Sequence, residues 1–386
     1  MNSNPFSEIS SLIEMLEKGQ ESNFPHAHAN KPYCERFKEL DNYFSGYDVE
    51  MGALQNEIID WKNKLRSAVE DVDINSDGRS KNELIENLLD EDTMSFLNKH
   101  GYEHVVRVQE KALEIIRCFT DRYPSCYEVF FLLCAISVHD IGNFFGRTNH
   151  EKKIPALLDK DCKNIIDDSI ERKIIGRIAG VHGGNIKGSK DTISFLSEED
   201  VINNIKVREQ MLASILRFAD ELADDNTRAN HIALDWGILG KASEIYHVYS
   251  SKLHTVKLEQ NPLTCLWRVV LKYEFSEEVA KKQYNKGGEK VYLLDEIYDR
   301  TIKMERERRY CMRFLRGYCA IESISVEIRI VNERDVFEER SINYSLKEEG
   351  YPEKPFCSIK DVDKDIVSGK EMAEQLLYLS GEHDDE

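Results

Sequence analysis

Val129-Phe-Phe-Leu-Leu-Cys-Ala-Ile-Ser-Val138 runs directly into His139-Asp140-Ile-Gly142-Asn143. The apolar run reads as part of a buried helix over 127–140 that ends on an imidazole and a carboxylate. Gly142 then lets the chain turn away. Adjacent side chains at a helix end splay apart, so His139 and Asp140 reach one cluster only if that end faces it. Working outward, His104 opens a helix whose apolar face continues with Val105, Val108, Ala112, Ile115 and Ile116. His150 lies in Gly146-Arg-Thr-Asn-His150, His182 in Val181-His182-Gly-Gly, and Asp220 follows Ile215, Leu216 and Ala219. A carboxylate beside such a stripe is costly to bury without a cation or a hydrogen-bond partner.

The 386 residues, 41% of them hydrophobic, suffice for a large core in two or three domains. A net charge of −19 argues against wrapping duplex nucleic acid, which needs Lys and Arg to neutralise phosphate. It leaves room for a local basic pocket. Nine cysteines are scattered, none in a CxxC pair, as expected of reduced thiols in a cytoplasmic protein. The first residues lack the basic start and apolar run of a signal peptide. Val129 to Val138 is too short to span a bilayer, so no membrane association is expected.

The pattern predicts a mainly α protein. Residues 1–90 read as a helical N-terminal region, with apolar spacing over 33–65 and 81–89 and a polar break at 71–80. Residues 91–235 read as helices at 103–120, 127–140, 151–158, 168–181 and 207–223. From 236 to 345 the pattern changes. Trp267 to Phe275 and Ile324 to Ile330 alternate cleanly, Val256 to Glu259 more briefly, and 291–315 is a long amphipathic helix after a Lys286-Gly-Gly turn. This predicts an appended α+β subdomain with a small antiparallel sheet. Residues 346–386 read as a polar tail with an acidic, mobile end.

Neutral imidazoles and carboxylates in the order H…HD…H…H…D are the ingredients of a divalent-metal site. They suit Mn²⁺, Fe²⁺, Co²⁺, Ni²⁺ or Zn²⁺ better than Mg²⁺, which prefers oxygen. An ion with open positions activates water, and two ions about 3.5–4 Å apart can share one carboxylate.

His104, His139-Asp140 and Asp220 resemble the signature of the HD superfamily of metal-dependent phosphohydrolases. The resemblance implies an all-helical core in which those four residues hold one metal ion. His150 and His182 match the two further histidines of the two-metal branches, which implies a second ion bridged by Asp140. The same six residues are then the catalytic set. His139-Asp-Ile-Gly also resembles the cyclic-dinucleotide phosphodiesterase branch, from which the chain departs at Asn143, where that branch has a lysine, and in lacking its Gly-Tyr-Pro signature.

The expected activity is hydrolysis of a nucleotide-type phosphoester or phosphoanhydride, with Arg147 and Lys187 binding the phosphate of a small substrate. Two alternatives use the same residues: a di-iron oxygenase, and a nucleotide sensor docking a partner protein. A protein partner or a homo-oligomer stays open. His150, in a polar stretch, also fits a solvated or capping histidine, and Arg147 a solvated loop arginine. Arg217 is spaced to pair with Glu221, and Asp224 reads as a solvated helix end. Glu305-Arg-Glu-Arg-Arg309 reads as a solvated, ion-paired face. Asp73-Ile-Asn75-Ser-Asp77-Gly78 starts like a calcium loop but carries Leu84 at its twelfth position in place of Glu. His26-Ala-His28 has no partners in sequence.

Overall fold

The computed structural model describes residues 4–18, 31–45, 102–141, 153–183, 186, 188–202, 204–224, 226, 244–332, 339–347 and 358–380. The expected helix over 81–89, the break at 71–80 with its calcium-like start, His26 and His28, Asn143, Arg147, His150, Lys187 and the acidic end lie outside these residues.

Leu12–Lys18 forms α1, residues 33–45 α2, Tyr102–Arg117 α3, Cys126–Val138 α4, Ile154–Asp161 α5, Ser169–Gly180 α6 and Glu209–Leu222 α7. The helices expected over 103–223 are all present, with ends displaced by one to three residues. Before α7 comes a short hairpin, β1 (Asp200–Ile202) with β2 (Ile205–Val207).

Helix α4 is the axis of this half. Every residue from Tyr127 to Val138 is buried, so the helix has no polar face and must be enclosed on all sides. Ser125 starts it with a capping box: its side chain accepts from Glu128 N–H, and the Glu128 carboxylate accepts from Ser125 N–H. Helices α1, α3, α6 and α7 pack around it. The N-terminal segment closes the remaining side. Phe6, Leu12 and Leu16 are buried, and Arg117 of α3 donates to the carbonyls of Phe6 and Ile9 at 3.2 and 2.6 Å. Helix α2 buries Cys34, Phe37, Leu40 and Phe44 at helical spacing, and Tyr33 and Arg36 lie against the Phe130 ring.

Arg36 also carries the charge of this contact. Its guanidinium forms an ion pair with Glu171 of α6, both side chains buried, and Tyr127 OH donates to the same carboxylate at 2.9 Å. Removing one partner of such a pair leaves an uncompensated buried charge.

The second half is a four-stranded sheet. Glu244–Lys252 (α8) leads into β3 (Leu253–Gln260) and β4 (Trp267–Ser276). The chain continues through α9 (Glu277–Lys281), a hairpin of β5 (Gln283–Lys286) and β6 (Glu289–Tyr292), and α10 (Leu293–Leu315). It returns as β7 (Ile321–Val331) and β8 (Glu339–Lys347), in the order β3-β4-β7-β8. Gly287 and Gly288 turn the hairpin with φ of +57° and +93°, the left-handed pair that a two-residue turn of this hand requires. Val269, Leu271, Tyr273 and Phe275 and their counterparts Ile324, Val326, Ile328 and Ile330 are buried, as the alternation predicts.

One expectation fails here. The sheet is mixed: β3–β4 and β7–β8 are antiparallel, but the central pair β4–β7 is parallel, with Val269 opposite Ile324 and Tyr273 opposite Ile328. The reason is the crossover, since a helix, a hairpin and a 23-residue helix carry the chain back to the end at which β4 began. The polar tail is structured in part. Gly369–Ser380 forms α11, burying Met372, Ala373 and Leu376. Gly369 N–H donates to Asp295 at 2.8 Å, and a side chain at Gly369 would collide with Tyr292. Few apolar residues serve this contact, so composition hides it. Among the described residues no helix is long and apolar enough to cross a membrane.

Replacing Arg36 with alanine is expected to lower unfolding stability by about 3–5 kcal/mol, measured by chemical denaturation. A loss below about 1 kcal/mol would show that Glu171 finds other compensation.

Candidate metal centre

Helices α4 and α7 start side by side and finish side by side. At their N-terminal ends Arg208 donates from Nε and Nη2 to Glu128 at 2.7 and 2.6 Å, and from its backbone N–H to the same carboxylate at 3.1 Å. At the other ends His139 and Asp220 meet, with Nε2 and Oδ1 3.7 Å apart. A rise of about 1.5 Å per residue puts His139 roughly 17 Å from Glu128 and Asp220 roughly 18 Å from Arg208, so near-equal lengths bring the two side chains level.

Three further side chains converge there. His104, in the first turn of α3, has its Nε2 3.0 Å from Asp220 Oδ1 and 3.9 Å from Asp140 Oδ2. His182, just past the end of α6, has its Nε2 3.7 Å from Asp140 Oδ1. The His139 ring lies between them, its centre 5.5 Å from that of His104 and 5.0 Å from that of His182. Asp140 thus turns one carboxylate oxygen toward His104 and His139 and the other toward His182.

The two histidines at helix ends are fixed in the same way. His139 Nδ1 bonds the Ile136 carbonyl at 2.7 Å, and His182 Nδ1 bonds the Ala179 carbonyl at 2.6 Å. A carbonyl only accepts, so each Nδ1 carries the proton and each Nε2 of the neutral ring presents its lone pair to the cluster. The ring nitrogens form a buried floor: His104, His139 and His182 are 3%, 0% and 7% exposed. The carboxylates form a partly open rim, with Asp220's side chain 27% exposed. A side chain at Gly183 would meet no atom within 4 Å, so the backbone after His182 borders open space.

The donor set fits a divalent ion. Ligand atoms of His104, His139 and Asp220 all lie within 4.8 Å of one another. Among the described residues His139 Nε2 is buried without a hydrogen-bond partner, the carboxylate oxygens of Asp140 and Asp220 standing 3.5 and 3.7 Å away. A buried nitrogen left so costs about 1–3 kcal/mol, which a cation drawn between it and the carboxylates would recover.

Charge in the site is arranged accordingly. Burial disfavours a charged imidazole at His139, but Asp140 and Asp220 outweigh it and push the pKa up to about 9. Burial acts to raise the Asp220 carboxyl, but hydrogen bonding from His104 and the charge of His139 hold it well below the usual carboxylate range. A proton on His139 therefore occupies the place a cation would take.

Several side chains near Asp220 are not where their spacing suggests. Arg217 pairs with Glu307 of α10, from Nε at 2.7 Å and Nη2 at 3.0 Å, and not with Glu221. Glu221 takes Lys303 at 2.7 Å. Asp224 is not a solvated helix end but bonds Ser250 Oγ at 3.3 Å and faces Arg300 at 3.5 Å. The pairs 217 with 307, 221 with 303 and 224 with 300 form an antiparallel ladder along α7 and α10. Glu305 to Arg309 is ion-paired along its own helix, as expected, but the Glu305–Arg308 pair is buried and not solvated. For Arg217 and Glu221 the opposed helix, absent from any one-helix reading, outcompetes neighbours on the same helix.

His139→Ala or Asp220→Ala is expected to remove one tightly bound divalent ion per chain, measured by metal analysis after reconstitution. The pH dependence follows from His139. A pKa raised in the folded state stabilises most below about 6.5, the ordinary histidine value, and that contribution is lost as pH rises through 9. The metal-free protein should lose thermal stability over that window, while stabilisation by added Mn²⁺ grows as the competing proton leaves. The Asp220 contribution runs the other way and is lost only in acid. A metal-induced stabilisation flat between pH 6.5 and 9 would contradict this assignment.

No curated protein and no solved structure gives a significant match to the chain. A family model does. It covers residues 89–303, more than half of the chain, including His104, His139, Asp140, His182 and Asp220, and it continues through the first two strands of the sheet into α10. With the site inside that span, the chain belongs to the HD-CE family.

Proposed function

We propose that this protein is a metal-dependent phosphohydrolase acting on a nucleotide-type phosphoester or phosphoanhydride. The observation that carries the reading is the meeting of three imidazoles and two carboxylates at one partly open cluster, where His139 Nε2 is buried without a hydrogen-bond partner among the described residues. Family membership supports it.

His104, His139, Asp140 and Asp220 are the proposed holders of a first divalent ion. His182 and the second oxygen of Asp140 are the proposed core of a second position, with His150 completing it. A bound divalent ion supplies Lewis acidity: it lowers the pKa of water and neutralises charge on a phosphoryl oxygen. The chain's own residues do the rest. The bonds from Nδ1 to the Ile136 and Ala179 carbonyls keep both rings in one tautomer and one orientation. Asp140, with one oxygen toward His104 and His139 and the other toward His182, would help hold both ions. The buried floor excludes water from behind the imidazoles, while the rim leaves the carboxylate side open to an anionic substrate. Arg147 and Lys187 are proposed to bind that substrate's phosphate, each offering charge that strengthens as the transition state gathers negative charge. Mn²⁺, Fe²⁺, Co²⁺, Ni²⁺ and Zn²⁺ suit this mixed set better than Mg²⁺.

The test is a screen of mononucleotides, dinucleotide polyphosphates and cyclic nucleotides with each metal added back to metal-free protein. Phosphate or nucleotide release is expected with at least one pairing. His139→Ala and Asp140→Ala should cut it by roughly a hundredfold or more, the scale on which loss of a metal-site residue acts. Full turnover by both variants would sink the proposal, as would nucleotide binding with no turnover under any metal.

A further inference from the structure

One side chain links the C-terminal half to the backbone that carries His182. Arg217 lies on α7 one turn before Asp220 and is 6% exposed. On one side it is held by α10, through the forked pair with Glu307 and by stacking on the Tyr310 ring at 4.6 Å. On the other side its Nη1 donates to Thr192 Oγ1 at 2.9 Å, and Thr192 Oγ1 donates in turn to the Val181 carbonyl at 2.9 Å. Val181 immediately precedes His182. The same guanidinium nitrogen reaches the Lys190 carbonyl at 3.3 Å, and Tyr310 OH accepts from Ile193 N–H at 2.8 Å.

We infer that Arg217 is a positioning residue for the second metal position: anchored by Glu307 and Tyr310, it holds Thr192, and through it the backbone that aims His182 at Asp140. The inference rests on the two-ion reading above. Its physical basis is an asymmetry. His104 and Asp220 sit on helices and His139 caps α4 with helical backbone angles, whereas His182 lies beyond the C-cap of α6, before the segment that Arg217 and Tyr310 fasten at Thr192 and Ile193. Thr192 is 1% exposed, so its hydroxyl has no water to replace either partner.

The test uses full-length protein and Mn²⁺ alone, with binding followed by equilibrium dialysis and by the spin signal of free Mn²⁺. Unsubstituted protein is expected to bind two ions. Thr192→Val keeps the shape and the Arg217–Glu307 pair but breaks the relay. It should weaken the second ion by about tenfold, the lower end of the loss seen when a partner orienting a ligand is removed, and leave the first within about threefold. Arg217→Met should do the same. If it fails to fold, Thr192→Val carries the test alone. Arg300→Met breaks another rung of the ladder without touching the 183–192 segment, and should lower thermal stability while leaving both affinities alone. Equal weakening of both ions, or no change in either, in Thr192→Val overturns the inference while the two-ion reading stands. A single Mn²⁺ on unsubstituted protein removes that reading first and this inference with it.

Discussion

Helix α4 has no side that can face water. From Tyr127 to Val138 every residue is buried, and the rest of the helical half is arranged to satisfy that condition. The N-terminal segment, α2, α3, α6 and α7 are its walls. Polar groups on such a helix are admitted only at its ends, and both ends are used. Glu128, at the start, meets Arg208 in a close ion pair, both largely buried. His139, at the finish, meets carboxylates that stop short of hydrogen bonding. One end is electrostatically closed and the other is left open to a cation.

Two helix C-termini point at that open end, α4 through His139 and α6 through His182. The carbonyl ends of helices carry partial negative charge, which adds to the carboxylates and favours positive charge between them. The same surroundings act on His139, whose pKa Asp140 and Asp220 raise although burial alone would lower it. Metal and proton are rivals for one electrostatic well, and the fold supplies the well whichever occupies it.

The helical half was largely legible in sequence because a core-facing stripe and a chemistry-bearing residue coincide on each helix. Asp220 beside Ile215, Leu216 and Ala219 declares its helix and its inward direction together. What escaped reading lies between elements. The parallel pairing of β4 with β7 depends on the geometry of a crossover and not on either strand, whose alternation is the same in both arrangements. The partners of Arg217, Glu221 and Asp224 escaped for a related reason. Charges at steps of four and three along α7 are complementary to Arg300, Lys303 and Glu307 read backwards, a signal visible only when two distant segments are laid antiparallel. The tail escaped because a helix that buries three apolar residues leaves little trace in composition.

Glu128 and Arg208 lock two helices at one end, and the proposed ligands hang at the other. The distance between lock and ligand is counted in residues, eleven along one helix and twelve along the other. The pair behaves as a calliper whose jaws are His139 and Asp220. One residue inserted anywhere along either arm turns its jaw by about 100° and advances it by about 1.5 Å, enough to swing an imidazole or a carboxylate out of reach. Substitutions inside these helices can be absorbed by repacking, but their length cannot drift.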